Sequence, residues 1–253
     1  MERWKATVGT ISAELWLGDC WDLFGRVEEG RVDVTITDPP YDLKTHSGAA
    51  TASIRKAVEG GDFNELDFDE LSDGAVEDLT KELLLFAKTW TLVFCPLEWL
   101  GRYQAAAGLS WVRSGIWDRV VNAPQLSGDR PAQGGEGLAI MHRAGKRKRW
   151  RGGGKAAIWR YEVERGRKQH PTQKPERLLR DLVDLFSEEG ATVFDPFAGS
   201  GTTGVAAVKL GRSFIGFERD RAHFETAKKR ISSALDQVSF LSGVSISVSG
   251  GGL

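Results

Sequence analysis

The stretch from Thr192 to Asp220, TVFDPFAGSGTTGVAAVKLGRSFIGFERD, narrows the possible folds more than any other part of this chain. It reads as a short apolar strand, a glycine-rich turn, a helix of small residues and a second apolar strand. Two buried strands joined by a helix make a parallel βαβ unit. Further short runs have strand length and β-branched or aromatic content: AELWLGD (13–19), VDVTIT (32–37), TLVFCP (91–96) and GLAIMH (137–142). Several are apolar on both faces, as buried parallel strands are. Between them, PERLLRDLVDLF sets Leu178, Leu179, Leu182, Val183 and Phe186 on one helical face, with Pro175 placed to open the helix. DRAHFETAKKRISSAL aligns Phe224, Ala227, Ile231 and Leu235 in the same way. Strands alternating with helices predict an α/β doubly wound, mostly parallel sheet.

A chain of 253 residues can bury a full core, so one catalytic body carrying insertions is expected. Net charge is −1, but its distribution is uneven. Ten acids and one base lie between Glu59 and Glu82, whereas eleven bases and two acids lie between Arg143 and Lys168. Two cysteines permit no disulfide framework. The N-terminus has no signal-type apolar core and no run is long enough to span a bilayer, so a cytoplasmic protein is expected. The final SVSGGGL reads as frayed.

Gly199-Ser200-Gly201-Thr202-Thr203-Gly204 satisfies G-x-G-x-x-G, a turn that lets a ligand approach backbone amides. By itself this pattern fits a dinucleotide, another nucleoside, or a bare turn that packs a helix on a sheet. Two acids favour a cationic nucleoside. Asp195 ends the strand before the turn, where a carboxylate holds an ammonium group and repels a pyrophosphate. Glu218 ends the next strand, where it can accept both ribose hydroxyls. An amine at one end and a ribose at the other describe S-adenosylmethionine.

A second feature is DVTITDPPYDLKTHSG, which begins at Asp33. Two consecutive prolines remove two donors and fix φ, leaving Asp38 and Tyr41 in a stiff extended turn at a strand end. In isolation that is a surface turn with an Asx cap. Beside a cofactor strand it becomes a rigid acceptor, an aimed carbonyl and an aromatic ring. Cys20 and Cys95 lack a proline-cysteine context for cytosine C5 chemistry. His46 and His170 lack ligand spacing, so no metal is expected.

The pairing of TDPPY with FDPFAGSGTT, joined by HPTQKP (170–175), resembles the DNA amino-methyltransferases that modify adenine N6 or cytosine N4. The order, proline motif first and glycine motif last, resembles their permuted beta group. The resemblance implies a seven-stranded Rossmann-like methyltransferase sheet in a single catalytic domain, 1–235. Within that domain it places an acidic loop insertion (44–82) and a basic target-recognition insertion (143–169), with a tail at 236–253. It sets the strand ending at Asp38 beside the strand ending at Asp195. It implies a cofactor set of Asp19, Cys20, Asp38, Thr172, Lys174, Asp195, Phe197, Ala198, Gly199, Ser200, Gly201, Thr202, Glu218 and Arg219, with Lys174 and Thr172 at the methionine carboxylate. Asp38, Pro39, Pro40 and Tyr41 become the catalytic motif: Asp38 and the Pro39 carbonyl accept hydrogens from the target amino group, and the Tyr41 ring stacks on a flipped base. Lys146, Arg147, Lys148, Arg149, Arg151 and Lys155 become the contacts to duplex DNA.

The expected activity is site-specific adenine-N6 methylation, with cytosine N4 as the alternative. A nucleotide-dependent oxidoreductase and a non-catalytic DNA-binding module are the more distant readings. The partners implied are double-stranded DNA, no membrane, a homodimer, and a cognate restriction enzyme outside this chain.

Overall fold

The computed structural model describes residues 2–28, 30–40, 73–121, 127–163 and 174–252. Ten strands form one sheet: β1 (Glu2–Val8), β2 (Ile11–Leu17), β3 (Val34–Thr37), β4 (Trp90–Cys95), β5 (Trp111–Asp118), β6 (Gly135–His142), β7 (Ile158–Arg160), β8 (Thr192–Asp195), β9 (Ser213–Glu218) and β10 (Ile246–Gly252). Their order across the sheet is β10-β1-β2-β9-β8-β3-β4-β6-β5-β7. The five strands β2, β9, β8, β3 and β4 are mutually parallel, and β6 runs antiparallel between β4 and β5. The expected count of seven is therefore exceeded. Seven inner strands, β2 to β5 in sheet order, are flanked by β1 and β10 on one side and β7 on the other.

Side-chain alternation explains why both faces are covered. Leu92 and Phe94 of β4 enter one core layer while Val93 and Cys95 enter the other; Val193 and Phe194 of β8 divide likewise. The first layer packs under α4 (Glu176–Phe186), α5 (Thr202–Lys209) and α6 (Arg221–Ser242). The second packs under α1 (Cys20–Leu23), α2 (Asp73–Phe86) and α3 (Leu100–Ala107). The predicted faces of α4 and α6 are buried as expected. Each fully buried Leu or Phe contributes roughly 1.5–3 kcal/mol, and these two layers fix the strand ends.

Two local expectations are corrected. The C-terminal residues are not frayed: Ile246–Gly252 pairs antiparallel with β1 from Val8↔Ile246 to Glu2↔Gly252, so the backbone groups on its β1 side join the sheet ladder. The acidic connection is not loop throughout, because Asp73–Phe86 is helical and buries Val76, Leu79 and Leu83. Its earlier part lies outside the described residues. Among the described residues no helix is long and apolar enough to cross a membrane.

Candidate active site

The parallel strands all end at one edge, so the residues that follow them converge. β3 and β8 pair with Val34 opposite Val193, which brings the Asp38 and Asp195 strand ends together despite their distance in sequence. A hydrogen bond crosses between the two strands: Thr37 Oγ1 donates to Asp195 Oδ1 at 2.7 Å. Asp195 also accepts from the Phe197 amide at 3.1 Å and from Thr203 Oγ1 at 2.7 Å. Oδ1 thus carries two donors and Oδ2 one, which leaves a lone pair on Oδ2 for a ligand. Burial pushes the Asp195 carboxyl up to about 6 against the pull of Thr37, Thr203 and Phe197, and nearby Asp38 adds to the rise.

Glu218 is arranged the same way. Its Oε2 accepts from the Gly199 amide at 2.7 Å and its Oε1 from the Asp220 amide at 2.8 Å, so each oxygen keeps a free lone pair. Burial raises this carboxyl too. The turn between the two acids needs glycine for two different reasons. Gly199 has φ +53° and nothing nearer a built Cβ than Phe197 O at 3.9 Å, so it supplies conformation and an open approach. Gly201 has φ +78°, and a Cβ there would meet the Ala227 Cβ at 2.8 Å, so it lets α6 close on the turn. Arg230 of α6 then donates to Ser200 O at 2.7 Å, Ser200 Oγ at 2.9 Å and Thr202 Oγ1 at 3.1 Å. The hydroxyls of Ser200 and Thr202, expected at the cofactor, are engaged by this arginine.

Asp19 caps α1, accepting from the Trp21 amide at 2.9 Å, and the Gly18 amide donates to Glu218 O at 2.9 Å, which sets Asp19 and Cys20 beside Glu218. Burial, then the Asp19 charge, pushes the Cys20 thiol up to about 12, so it is an inert packing group. Ala198 is buried, with its amide on Phe217 O at 2.8 Å, and Arg219 is exposed at the end of β9.

The proline side of the crevice differs from expectation. Pro39 is buried and Asp38 half-buried. Lys174, expected at a methionine carboxylate, instead directs its ammonium to Asp38 Oδ2 and to Glu136 Oε2, the latter at 3.0 Å. Glu136 Oε1 is held by Arg119. Burial pushes Glu136 up, but Lys174 and Arg119 outweigh it and hold the carboxyl at about 2. Burial would lower the Lys174 ammonium; Asp38 and Glu136 hold it above the ordinary lysine range. The row Asp38–Lys174–Glu136–Arg119 was not predicted. Its one sequence signal is an acid, Glu136, in the otherwise apolar run GEGLAIMH. Tyr41 and Thr172 lie outside the described residues.

The assigned duplex contacts lie elsewhere. β6 leaves the site edge at Gly135 and ends with His142 opposite Trp90, and the Arg143 amide donates to Thr89 O at 2.8 Å. Lys146, Arg147, Lys148 and Arg149 are exposed at this far edge, about 17 Å of strand from the site by the rise of β4. Arg151 pairs with Glu188 at 2.8 Å, and Lys155 with Asp181 at 2.7 Å, on or just beyond α4. Trp150 packs on Phe186 with ring centroids 5.0 Å apart. Only with β7 does the insertion return, so that Arg160 reaches Asp118 at the site edge. Lys146 to Arg149 are thus set away from the strand ends that carry Asp38 and Asp195.

Comparison with known proteins finds similar chains among DNA methyltransferases. Residues 112–229 match a family model described as DNA methylase. The Type II methyltransferase M.HinfI of Haemophilus influenzae is 26% identical over 90% of this chain and 70% of its own length. The Type II methyltransferase M2.DpnII of Streptococcus pneumoniae is 27% identical over 84% of this chain and 87% of its own. Among solved structures, an M1.HpyAVI–SAM complex superposes with a TM-score of 0.64 at 20% identity, over 86% of this chain and 99% of that one. The PvuII DNA methyltransferase (cytosine-N4-specific) gives 0.66 at 15% identity, over 89% and 92%. The matched model contains the glycine turn, the M.HinfI likeness extends across the proline motif, and the sheet sets the two motifs side by side, so the chain is similar to DNA amino-methyltransferases in both motifs and in their setting.

Proposed function

We propose that this chain transfers a methyl group from S-adenosylmethionine to the N6 amino group of an adenine flipped out of duplex DNA. The observation that carries this reading is the Thr37–Asp195 hydrogen bond, which ties the strand bearing Asp38 to the strand bearing the cofactor-side acid. The residues suit the cofactor. The free lone pair of Asp195 Oδ2 would hold its ammonium, the two free lone pairs of Glu218 its ribose hydroxyls, and the left-handed Gly199 its close backbone approach. The name of the M1.HpyAVI–SAM complex, which shares the fold, supports the same cofactor.

When bound, S-adenosylmethionine supplies a sulfonium methyl, which the amino nitrogen takes with its lone pair as the S–C bond electrons return to sulfur. An exocyclic amino group is a poor nucleophile because its lone pair is delocalised into the ring. Asp38 and the Pro39 carbonyl counter this by accepting its two hydrogens, which favours a near-tetrahedral nitrogen. The extra proton leaves through the hydrogen bond to Asp38. This is positioning and electrostatic stabilisation, with no covalent nucleophile. The buried Cys20 and Cys95, both pushed upward by burial, take no part. Tyr41 would stack on the base.

Duplex DNA would approach across the site edge, near Arg160. The Type II names of both relatives support a cognate restriction enzyme as a further partner. Nucleoside mass spectrometry of duplex incubated with protein and cofactor tests the proposal. N6-methyladenine is the expected product, and N4-methylcytosine would overturn the choice of base.

A further inference from the structure

The base side of the crevice holds a charge row that the methyl-transfer account does not yet use. Lys174 immediately precedes Pro175, where α4 opens at the site edge. It is 7% exposed, with its ammonium 5.0 Å from the Phe94 ring centroid and 5.8 Å from that of Trp117. Its partners are Asp38 Oδ2 and Glu136 Oε2, and Glu136 passes its other oxygen to Arg119, which lies 5.4 Å over Trp117. Two anions and two cations alternate, so the row is neutral as a whole.

We propose that Lys174 is the positioning residue for Asp38: held between Asp38 and Glu136, it fixes the Asp38 carboxylate at the site edge and keeps it in its accepting, anionic form. This inference rests on the methyl-transfer reading above. A protonated carboxyl donates where an accepting one is needed, so loss of ionisation disables the site without disturbing its shape. Glu136 in turn divides the Lys174 charge between two acids, and Arg119 completes the neutrality that a buried row needs. This role replaces the cofactor-carboxylate role expected for Lys174. An ammonium with two carboxylates already on it offers a third anion little.

Other titratable groups also face Asp38. Asp195 on β8, Cys95 on β4 and Tyr103 on α3 each feel its charge. Burial pushes the Cys95 thiol and the Tyr103 hydroxyl well above their usual ranges, so both stay neutral across the working range. Asp195 titrates near 6, and its effect on cofactor binding is removed by working at saturating cofactor.

The test is kcat against pH, at saturating cofactor and duplex, for wild type, Lys174→Met and Glu136→Gln, with product identified by nucleoside mass spectrometry. Lys174→Met removes the cation beside Asp38 and should move the acid limb up by about one to three pH units, with cofactor affinity by calorimetry unchanged. Glu136→Gln removes the second acid from Lys174 and should move the limb the opposite way. A Lys174→Met enzyme that binds cofactor more weakly and keeps its limb in place overturns the proposal and restores the carboxylate role. If Lys174→Met does not fold, Glu136→Gln decides alone: a limb that stays or moves upward overturns the proposal. A wild-type product of N4-methylcytosine overturns the choice of base instead, and leaves the comparison of limbs intact.

Discussion

The two halves of the crevice hold buried carboxylates in opposite ways. On the cofactor side, Asp195 and Glu218 accept only from neutral donors: the hydroxyls of Thr37 and Thr203 and the amides of Phe197, Gly199 and Asp220. On the base side, Asp38 and Glu136 sit against an ammonium and a guanidinium. Burial dominates the first pair and raises both carboxyls, Asp195 to about 6. On Glu136 burial is outweighed by Lys174 and Arg119, which hold it at about 2. A carboxylate with neutral donors has its hydrogen bonds met and its charge unmet, which suits it to receive a cation. A carboxylate already paired acts through lone-pair direction alone, which suits a neutral amino group. On the proposed function, a cationic cofactor and a neutral base would thereby be sorted to different halves of one cleft.

The largest effect should come from breaking the base side at its tip. Asp38→Ala should abolish methyl transfer in a single-turnover assay while cofactor still binds, because Lys174 keeps Glu136 as a partner and the cofactor acids are untouched. Residual turnover near the wild-type rate would remove Asp38 from the chemistry. On the cofactor side, Asp195→Asn preserves an acceptor for Thr37 and the Phe197 amide but removes the charge. It should weaken cofactor binding by about 2 to 5 kcal/mol, the cost of losing one member of a buried charged pair. The smallest effect should lie away from both halves. Neutralising Lys146, Arg147, Lys148 and Arg149 at the far edge should change the slope of log DNA affinity against log salt by much less than the ~0.9 per charge that direct phosphate contacts give. A full change per charge would show that duplex wraps to that edge.

Much of this division was legible in the sequence, and the reasons differ by residue. Asp195, Glu218 and Asp38 follow apolar runs, so strand pattern put each at a strand end, and the family resemblance set the Asp38 strand beside the Asp195 strand. The helical faces of α4 and α6 followed from period alone. Strands β5 and β7 did not, because Arg113, Ser114 and Ile116 of β5 face solvent and β7 is three residues long. The tail strand β10 is rich in glycine and serine, and forms only because β1 offers it a ladder. The position of the basic arm was not legible, because charge composition says nothing of which sheet edge a loop leaves from. That depends on β6 running antiparallel, a tertiary fact. Lys174 was assigned by motif to the cofactor. Its contact with Glu136 could not be read from the motif, because Glu136 lies on β6 and Arg119 just past the end of β5.

Calorimetric titration of S-adenosylmethionine across pH, for wild type and Asp195→Asn, tests the division most directly. The native Asp195 carboxyl is raised from 3.8 to about 6, so the folded protein binds this proton more readily than the unfolded chain. Its contribution therefore favours the unliganded fold at low pH and fades as pH rises through that window. Cofactor binding runs the other way, since only the anion receives the ammonium. Wild-type affinity should level off near pH 7 and fall by up to about tenfold per unit below 6, and Asp195→Asn should be weak and flat between about pH 5 and 7. A wild-type affinity indifferent to pH, or an Asp195→Asn variant that binds as wild type does, would contradict the account.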